Sequence, residues 1–232
     1  MARVLHQDSA LHAAFDAQIK EKEERGRQAH RARIDESMPH WLAAVVGPLA
    51  QAARQRQQHG YQVQGRRGEN QLTLALRWRL DQQWALCPDV VIQTDALSVA
   101  QLDLLVLGPS TIFILEVKTW TGAVRAGGAR WERKTGSKWS RVESPVRQQA
   151  MHTQRFRSWI ETSGWDGELP PLSAAIVILN AQWLRTRDTP YPVFDRPSTV
   201  ARWMKTEDAA HTPLAASARA QLLQRLVGCP LP

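Results

Sequence analysis

Apolar and polar positions alternate with different periods along the chain, and the densest apolar run lies near its middle. Ile112-Phe113-Ile114-Leu115 continues to Val117, interrupted by Glu116 and closed by Lys118. A short continuous apolar run predicts a strand buried on both faces, here from Thr111 to Lys118. A second run, Gln101 to Leu107, has the same character and carries one acid, Asp103. Gly108-Pro109-Ser110 between the two predicts a turn. Val90 to Gln93 and Ala174 to Leu179 predict further strands. Gly122 to Arg125, Ala129 to Glu132 and Lys138 to Ser140 predict short strands around Gly127-Gly128.

Helical spacing marks the remaining elements. Leu72, Leu76 and Leu80 recur at four-residue intervals and predict a helix from Glu69 to about Gln83, with Trp84 one turn further on. Pro145 suits the first position of a helix from Val146 to Glu161, whose buried face would be Met151, Phe156, Trp159 and Ile160. Leu222, Leu223 and Leu226 lie inside a predicted closing helix, Leu214 to Val227. Prolines at 190, 192 and 197 predict that Asn180 to Pro197 is mostly loop. Before these elements, Ala10, Leu11, Ala14, Phe15 and Ile19 predict a helix within residues 9–37. Gln18 to Arg33 has no apolar stripe, so this helix reads as a solvated one or as a basic arm. Trp41 to Gln58 predicts a second helix broken at Pro48. The expected architecture is an N-terminal helical extension, residues 1–60, and an α/β domain, residues 61–232, built on one mixed β-sheet flanked by helices.

Composition narrows the classes. The chain has 232 residues and a formal net charge of +8, which favours a polyanionic partner. Its two cysteines, Cys87 and Cys229, have no CxxC spacing, which argues for a reducing compartment and against a disulfide framework or zinc site. The start of the chain lacks an apolar leader, and the run Trp41 to Ala53 is too short to span a bilayer. A cytoplasmic protein with no membrane association is expected. No GxSxG, Walker or dinucleotide motif is present, and the seven histidines show no ligand spacing.

The candidate chemistry sits in the two central strands. Glu116 and Lys118 are two residues apart and therefore share a strand face. A two-residue turn centred on Pro109-Ser110 would set Asp103 opposite Glu116 on that face, whereas a three-residue loop would turn Asp103 to the other side. Two carboxylates that close call for a cation between them. A hard divalent ion, Mg²⁺ or Mn²⁺, suits oxygen ligands, and a lysine beside it could orient water or offset charge on a phosphate. The competing reading is a salt bridge from Lys118 to Asp103 or Glu116.

An Asp on one strand and Glu-x-Lys on the next, with a helical Glu upstream, resembles the PD-(D/E)xK nuclease superfamily. The ordered set Gly68-Glu69, Gln101-Leu102-Asp103-Leu104-Leu105-Val106, Glu116-Val117-Lys118-Thr119-Trp120-Thr121-Gly122, Trp131 and Ser144-Pro145-Val146-Arg147-Gln148 resembles the nuclease-related domain (NERD) family, over residues 65–165. The resemblance implies a restriction-endonuclease-like core and a metal-dependent nuclease acting on DNA. By position it implies Asp103, Glu116 and Glu69 as metal ligands, Lys118 as the catalytic lysine, and Gln148 as a residue holding the site or substrate. Leu102 stands where the signature has proline, and Leu104 where the family often has a polar residue; neither change removes a ligand.

Beside these motifs lies a basic stretch, Arg125, Arg130, Arg133, Lys134, Lys138, Arg141 and Arg147, which reads either as a solvated hairpin or as a phosphate-tracking surface for DNA. Of the ten tryptophans, Trp78, Trp84, Trp159 and Trp183 are expected in the core. Trp120 and Trp131 lie near the site, where packing is favoured over base stacking. His152, one turn after Gln148, is expected to be structural. Two other functions remain open to the residues alone: a nuclease-like DNA-binding module without activity, and a protein-interaction module with an internal Glu–Lys pair.

Overall fold

The computed structural model describes residues 1–7, 12–13, 15–21, 24–25, 28, 67–93, 99–165 and 169–228. Its centre is the predicted pair of apolar strands, β3 (Val99–Leu107) and β4 (Ile112–Gly127), running antiparallel. β2 (Ala85–Gln93) pairs antiparallel with β3, and β1 (Arg3–Val4) runs parallel to β2 at the sheet edge. β7 (Leu172–Arg187) lies parallel to β4 along its whole length, and β8 (Val193–Phe194) parallel to β7. The hairpin of β5 (Arg130–Thr135) and β6 (Lys138–Val142) joins the far end of β4. The result is one mixed eight-stranded sheet among the described residues.

Two helical layers cover the first half of this sheet. Helix α1, residues 67–79, lays Leu72 and Leu76 onto one face, with Leu80 just beyond its end. Helix α3 (Pro197–Asp208) adds Val200 and Met204 there, against Leu104, Val106, Phe113, Leu115 and Val117. On the opposite face, α2 (Pro145–Thr162) contributes Phe156 and Ile160, and α4 (Ala216–Val227) contributes Leu222, Leu223 and Leu226, against Leu105, Leu107, Ile112 and Ile114. Strands covered on both sides need apolar residues at every position, which is why the two runs barely alternate. Each fully buried leucine stabilises the fold by about 1.5–3 kcal/mol. The parallel alignment of β7 with β4 requires a crossover, and α2 lies within it.

The β3–β4 register depends on a distant residue. Gly108 N–H donates to Thr111 C=O at 2.9 Å across a turn centred on Pro109-Ser110. Asp208, at the end of α3 and 6% exposed, accepts from the N–H groups of Ser110 and Thr111, both at 2.9 Å. A Cβ on residue 108 would fall 2.3 Å from Asp208 Oδ1, so the glycine makes this approach possible. The two-residue turn follows, with Leu104 opposite Leu115 and Leu107 opposite Ile112.

Several expectations need correction. Asn180 to Pro197 is not mostly loop: β7 continues to Arg187, past a bulge where Asn180 takes a φ of 65°, and β8 follows. The predicted strand at Thr111 to Lys118 and the one at Gly122 to Arg125 are a single strand, bent at the same bulge, where Gly122 has a φ of 85°. Helix α3 had no counterpart in the sequence reading. Met151 is 40% exposed, because Gln149, His152, Phe156 and Ile160 form the buried stripe of α2. Trp78 lies on the side of α1 away from Leu76 and is 68% exposed, and Trp183 is 46% exposed on the uncovered part of β7. Trp84 is buried as expected, and Trp159 packs at the core edge. Described residues between 12 and 28 are helical, whereas the expected helix Trp41 to Gln58 lies outside the described residues. No helix among the described residues is long and apolar enough to cross a membrane.

Candidate active site

The β3–β4 ladder stops at Leu104 and Leu115, and β5 does not meet β4 until Ala123. One edge of β4 is therefore open between the two partners. The next backbone donor on that edge, Val117 N–H, is taken by the side chain of Asp103, at 2.8 Å from Oδ2. The register carries Asp103 to the position beside Glu116, as the two-residue turn predicts.

Glu116 and Lys118 point to the face covered by α2. Glu116 is fully buried. Lys118 Nζ lies 2.5 Å from Glu116 Oε1 and donates to Gln148 Oε1 at 3.0 Å. His152 Nδ1 lies 3.1 Å from Glu116 Oε2. Gln148 and His152 are four residues apart and so share a side of α2. Ser144 caps this helix by accepting from Val146 N–H, and Pro145 begins it. Gln149 Nε2 donates to Ile114 C=O at 2.8 Å, tying the helix to β4 between Gln148 and His152.

The cluster is electrostatically tense. Burial, then the nearby Glu116 charge, pushes the Asp103 carboxyl up to about 7, against the opposing pull of Lys118, Val117 N–H and His152. Burial draws the Lys118 ammonium down, but the Glu116 and Asp103 carboxylates outweigh it and hold the lysine above its ordinary value. Lys118 Nζ and His152 Nδ1 each approach a different oxygen of the Glu116 carboxylate. Both Glu116 oxygens and His152 Nδ1 are shut off from solvent.

Asp103, Glu116, Lys118 and Gln148 are thus brought together. Glu69 arrives from the other layer, in the first turn of α1. A Cβ on its neighbour Gly68 would fall 2.1 Å from Thr119 Oγ1, so the glycine lets α1 begin directly against β4 just past Lys118. The three acids do not form a ready-made cage: no group of three or more His, Cys, Asp or Glu among the described residues is arranged to hold a metal ion. His152 joins the cluster instead. Its spacing from Gln148 was visible, but a lone histidine gives no sign of what lies opposite until helix and sheet are packed.

The basic stretch is divided by the strand pleat. Arg133 pairs in register with Val124, on the side continuous with Glu116 and Lys118, and Lys138 falls on the same side. Arg125, Arg130, Lys134 and Arg141 fall on the other side. Arg125 Nε and Arg130 Nη2 donate to Glu132 at 2.7 and 2.8 Å. Arg147 is exposed on α2, next to Gln148. Trp131 is buried and stacks edge-on against Trp120 at 6.0 Å, so both pack as expected.

The nuclease-related domain profile matches residues 64–179, which include every residue of the Asp103–Glu116–Lys118–Gln148–His152 cluster and Glu69. No curated protein and no solved structure matches the chain.

Proposed function

The chain belongs to the nuclease-related domain family, and from that premise we propose that it is a metal-dependent nuclease hydrolysing phosphodiester bonds in DNA. One observation carries the proposal: Asp103, Glu116 and Lys118 lie together where the β3–β4 ladder opens, with Glu116 fully buried and its carboxylate 2.5 Å from the Lys118 ammonium. The Glu116 charge raises the Asp103 carboxyl, and two acids this close call for a cation between them.

The donor set fits Mg²⁺ or Mn²⁺. These ions take oxygen ligands, and Mg²⁺ commonly uses only one or two carboxylates, the rest being waters and substrate phosphate. Asp103 and Glu116 would hold the ion, with Glu69 reaching it from α1. When bound, such an ion polarises a phosphoryl oxygen and makes a bound water more acidic.

The chain's own groups then have separable tasks. The Glu116 and Asp103 carboxylates hold Lys118 above its ordinary value in the metal-free site. One of its N–H groups is committed to Gln148; the others can orient the attacking water and offset charge growing on the phosphate. His152 Nδ1 lies 3.1 Å from the far oxygen of Glu116, and Gln149 fixes the helix that carries His152 and Gln148. Arg133, Lys138 and Arg147 are the basic residues suited to steering the DNA backbone toward this face.

The test is cleavage of plasmid and linear DNA with Mg²⁺ or Mn²⁺. The wild type should cut, EDTA should stop it, and Lys118→Ala should be inactive while still folded. Equal absence of cleavage in wild type and Lys118→Ala, with both metals, would overturn the proposal. The second reading is a non-catalytic DNA-binding module in which Lys118 and His152 alone compensate Glu116. It predicts salt-dependent DNA binding without cleavage or metal dependence.

A further inference from the structure

Beyond the bulge at Gly122, the sheet has a second face that the cluster does not use. Among the described residues, no helix packs on it. Three rows cross it in register. Trp183, Ala123, Lys134 and Trp139 form the first, and Arg185, Arg125, Glu132 and Arg141 the second. Arg187 and Arg130 flank Gly127 in the third. Six cationic side chains therefore share a surface with one carboxylate.

Aromatic rings lie among these charges. Trp139 and Trp183 meet edge-on at 6.4 Å, and the Arg125 guanidinium lies 4.3 Å from the centre of the Trp139 ring. Trp183 is nearly half exposed. Glu132 holds Arg125 and Arg130 in place, while Arg185 and Arg187 are exposed on β7.

We propose that this face binds single-stranded nucleic acid, with bases stacking on Trp183 and the backbone following Arg185, Arg187 and Lys134. The chemistry favours a single strand over a duplex. A flat sheet offering exposed rings between cations suits unpaired bases, whose faces are free to stack, whereas a duplex presents its phosphates and hides them. The surface is on the opposite side of the sheet from Glu116 and Lys118. The proposal needs no cleavage at that cluster, so the two readings fail separately.

The experiment is fluorescence anisotropy of a labelled oligothymidylate with the full chain in EDTA. Wild-type affinity should fall as salt rises. Trp183→Ala should weaken binding about tenfold, Trp183→Phe should retain most of it, and Arg185→Glu/Arg187→Glu should lose binding and flatten the salt dependence. A duplex of the same length should be insensitive to Trp183→Ala. Unchanged binding in the Trp183 and Arg185/Arg187 variants would overturn the proposal. So would equal loss of duplex and single-strand binding in Trp183→Ala, or tighter, Trp183-dependent binding to anionic lipid vesicles. Melting temperatures, expected to be unchanged at these exposed positions, confirm that each variant is folded.

Discussion

Glu132 and Glu116 each face two basic side chains, in regions with opposite surroundings. Glu132, in the β5–β6 hairpin, accepts aligned hydrogen bonds from Arg125 and Arg130, which hold its carboxyl below the usual range. Glu116, under α2, is fully buried, with Lys118 Nζ 2.5 Å from one oxygen and His152 Nδ1 3.1 Å from the other. The hairpin acid is satisfied where it stands and needs nothing further. The buried acid shares a low-dielectric site with a second acid, Asp103, an arrangement that costs stability unless cations offset it. A carboxylate flanked by two basic side chains is therefore not one kind of object: burial and a neighbouring acid separate Glu116 from the surface clamp at Glu132.

The comparison breaks most sharply in catalysis. Lys118→Ala should lower metal-dependent DNA cleavage by about 10³-fold or more, while Glu132→Gln should leave the rate within about twofold, in one plasmid-nicking series. Comparable losses in both variants would erase the distinction. Asp208→Ala comes next. It leaves two buried N–H groups of the β3–β4 turn without their acceptor and should cost about 3 kcal/mol, read from urea unfolding. The effect belongs to the central hairpin, so the same measurement on Glu132→Ala should register well under that.

Titration gives a smaller effect with a definite sign. The Asp103 carboxyl is raised in the folded protein to about 7 from its ordinary 3.8. Between these values the folded state holds a proton that the unfolded state has lost. Its stabilising contribution is complete below the unfolded value and is lost as pH rises through about 7. The metal-free protein should therefore be more stable near pH 5.5 than near pH 8 on this account, and Asp103→Asn should reduce that slope. Mn²⁺ should stabilise the wild type more at pH 8 than at pH 6, since a ligand must be ionised to bind. Denaturant midpoints at the two pH values, with and without Mn²⁺, measure both; a slope identical in Asp103→Asn would remove Asp103 as its source.

Much of the fold was legible because its central strands are buried on both faces. The runs at 101–107 and 111–118 are strands, as their apolar character predicts, whereas the turn between them left two registers open, and the two-residue one is found. What escaped was governed by distant partners. β7 beyond Leu179 is polar and followed by prolines, and it is a strand because β4 runs on beside it past the bulge. Helix α3 lacks a simple apolar repeat, yet it supplies Asp208 to the turn that fixes the register. Trp78 and Trp183 show that ring size does not decide burial; their faces point where no layer lies. At the site, Gln148 was legible through the family motif, whereas the closeness of His152 to Glu116 arises only from the packing of α2 on β4.

The account's central claim is that Asp103 and Glu116 together hold a divalent ion beside Lys118. Titration of the metal-free protein with Mn²⁺ at pH 8, followed by electron paramagnetic resonance of the free ion, tests it directly. Wild type should take up Mn²⁺ at a site that Asp103→Asn and Glu116→Gln each weaken by at least about tenfold, while Glu132→Gln leaves it unchanged. Uptake that is identical in all four proteins, or absent from the wild type, would contradict it.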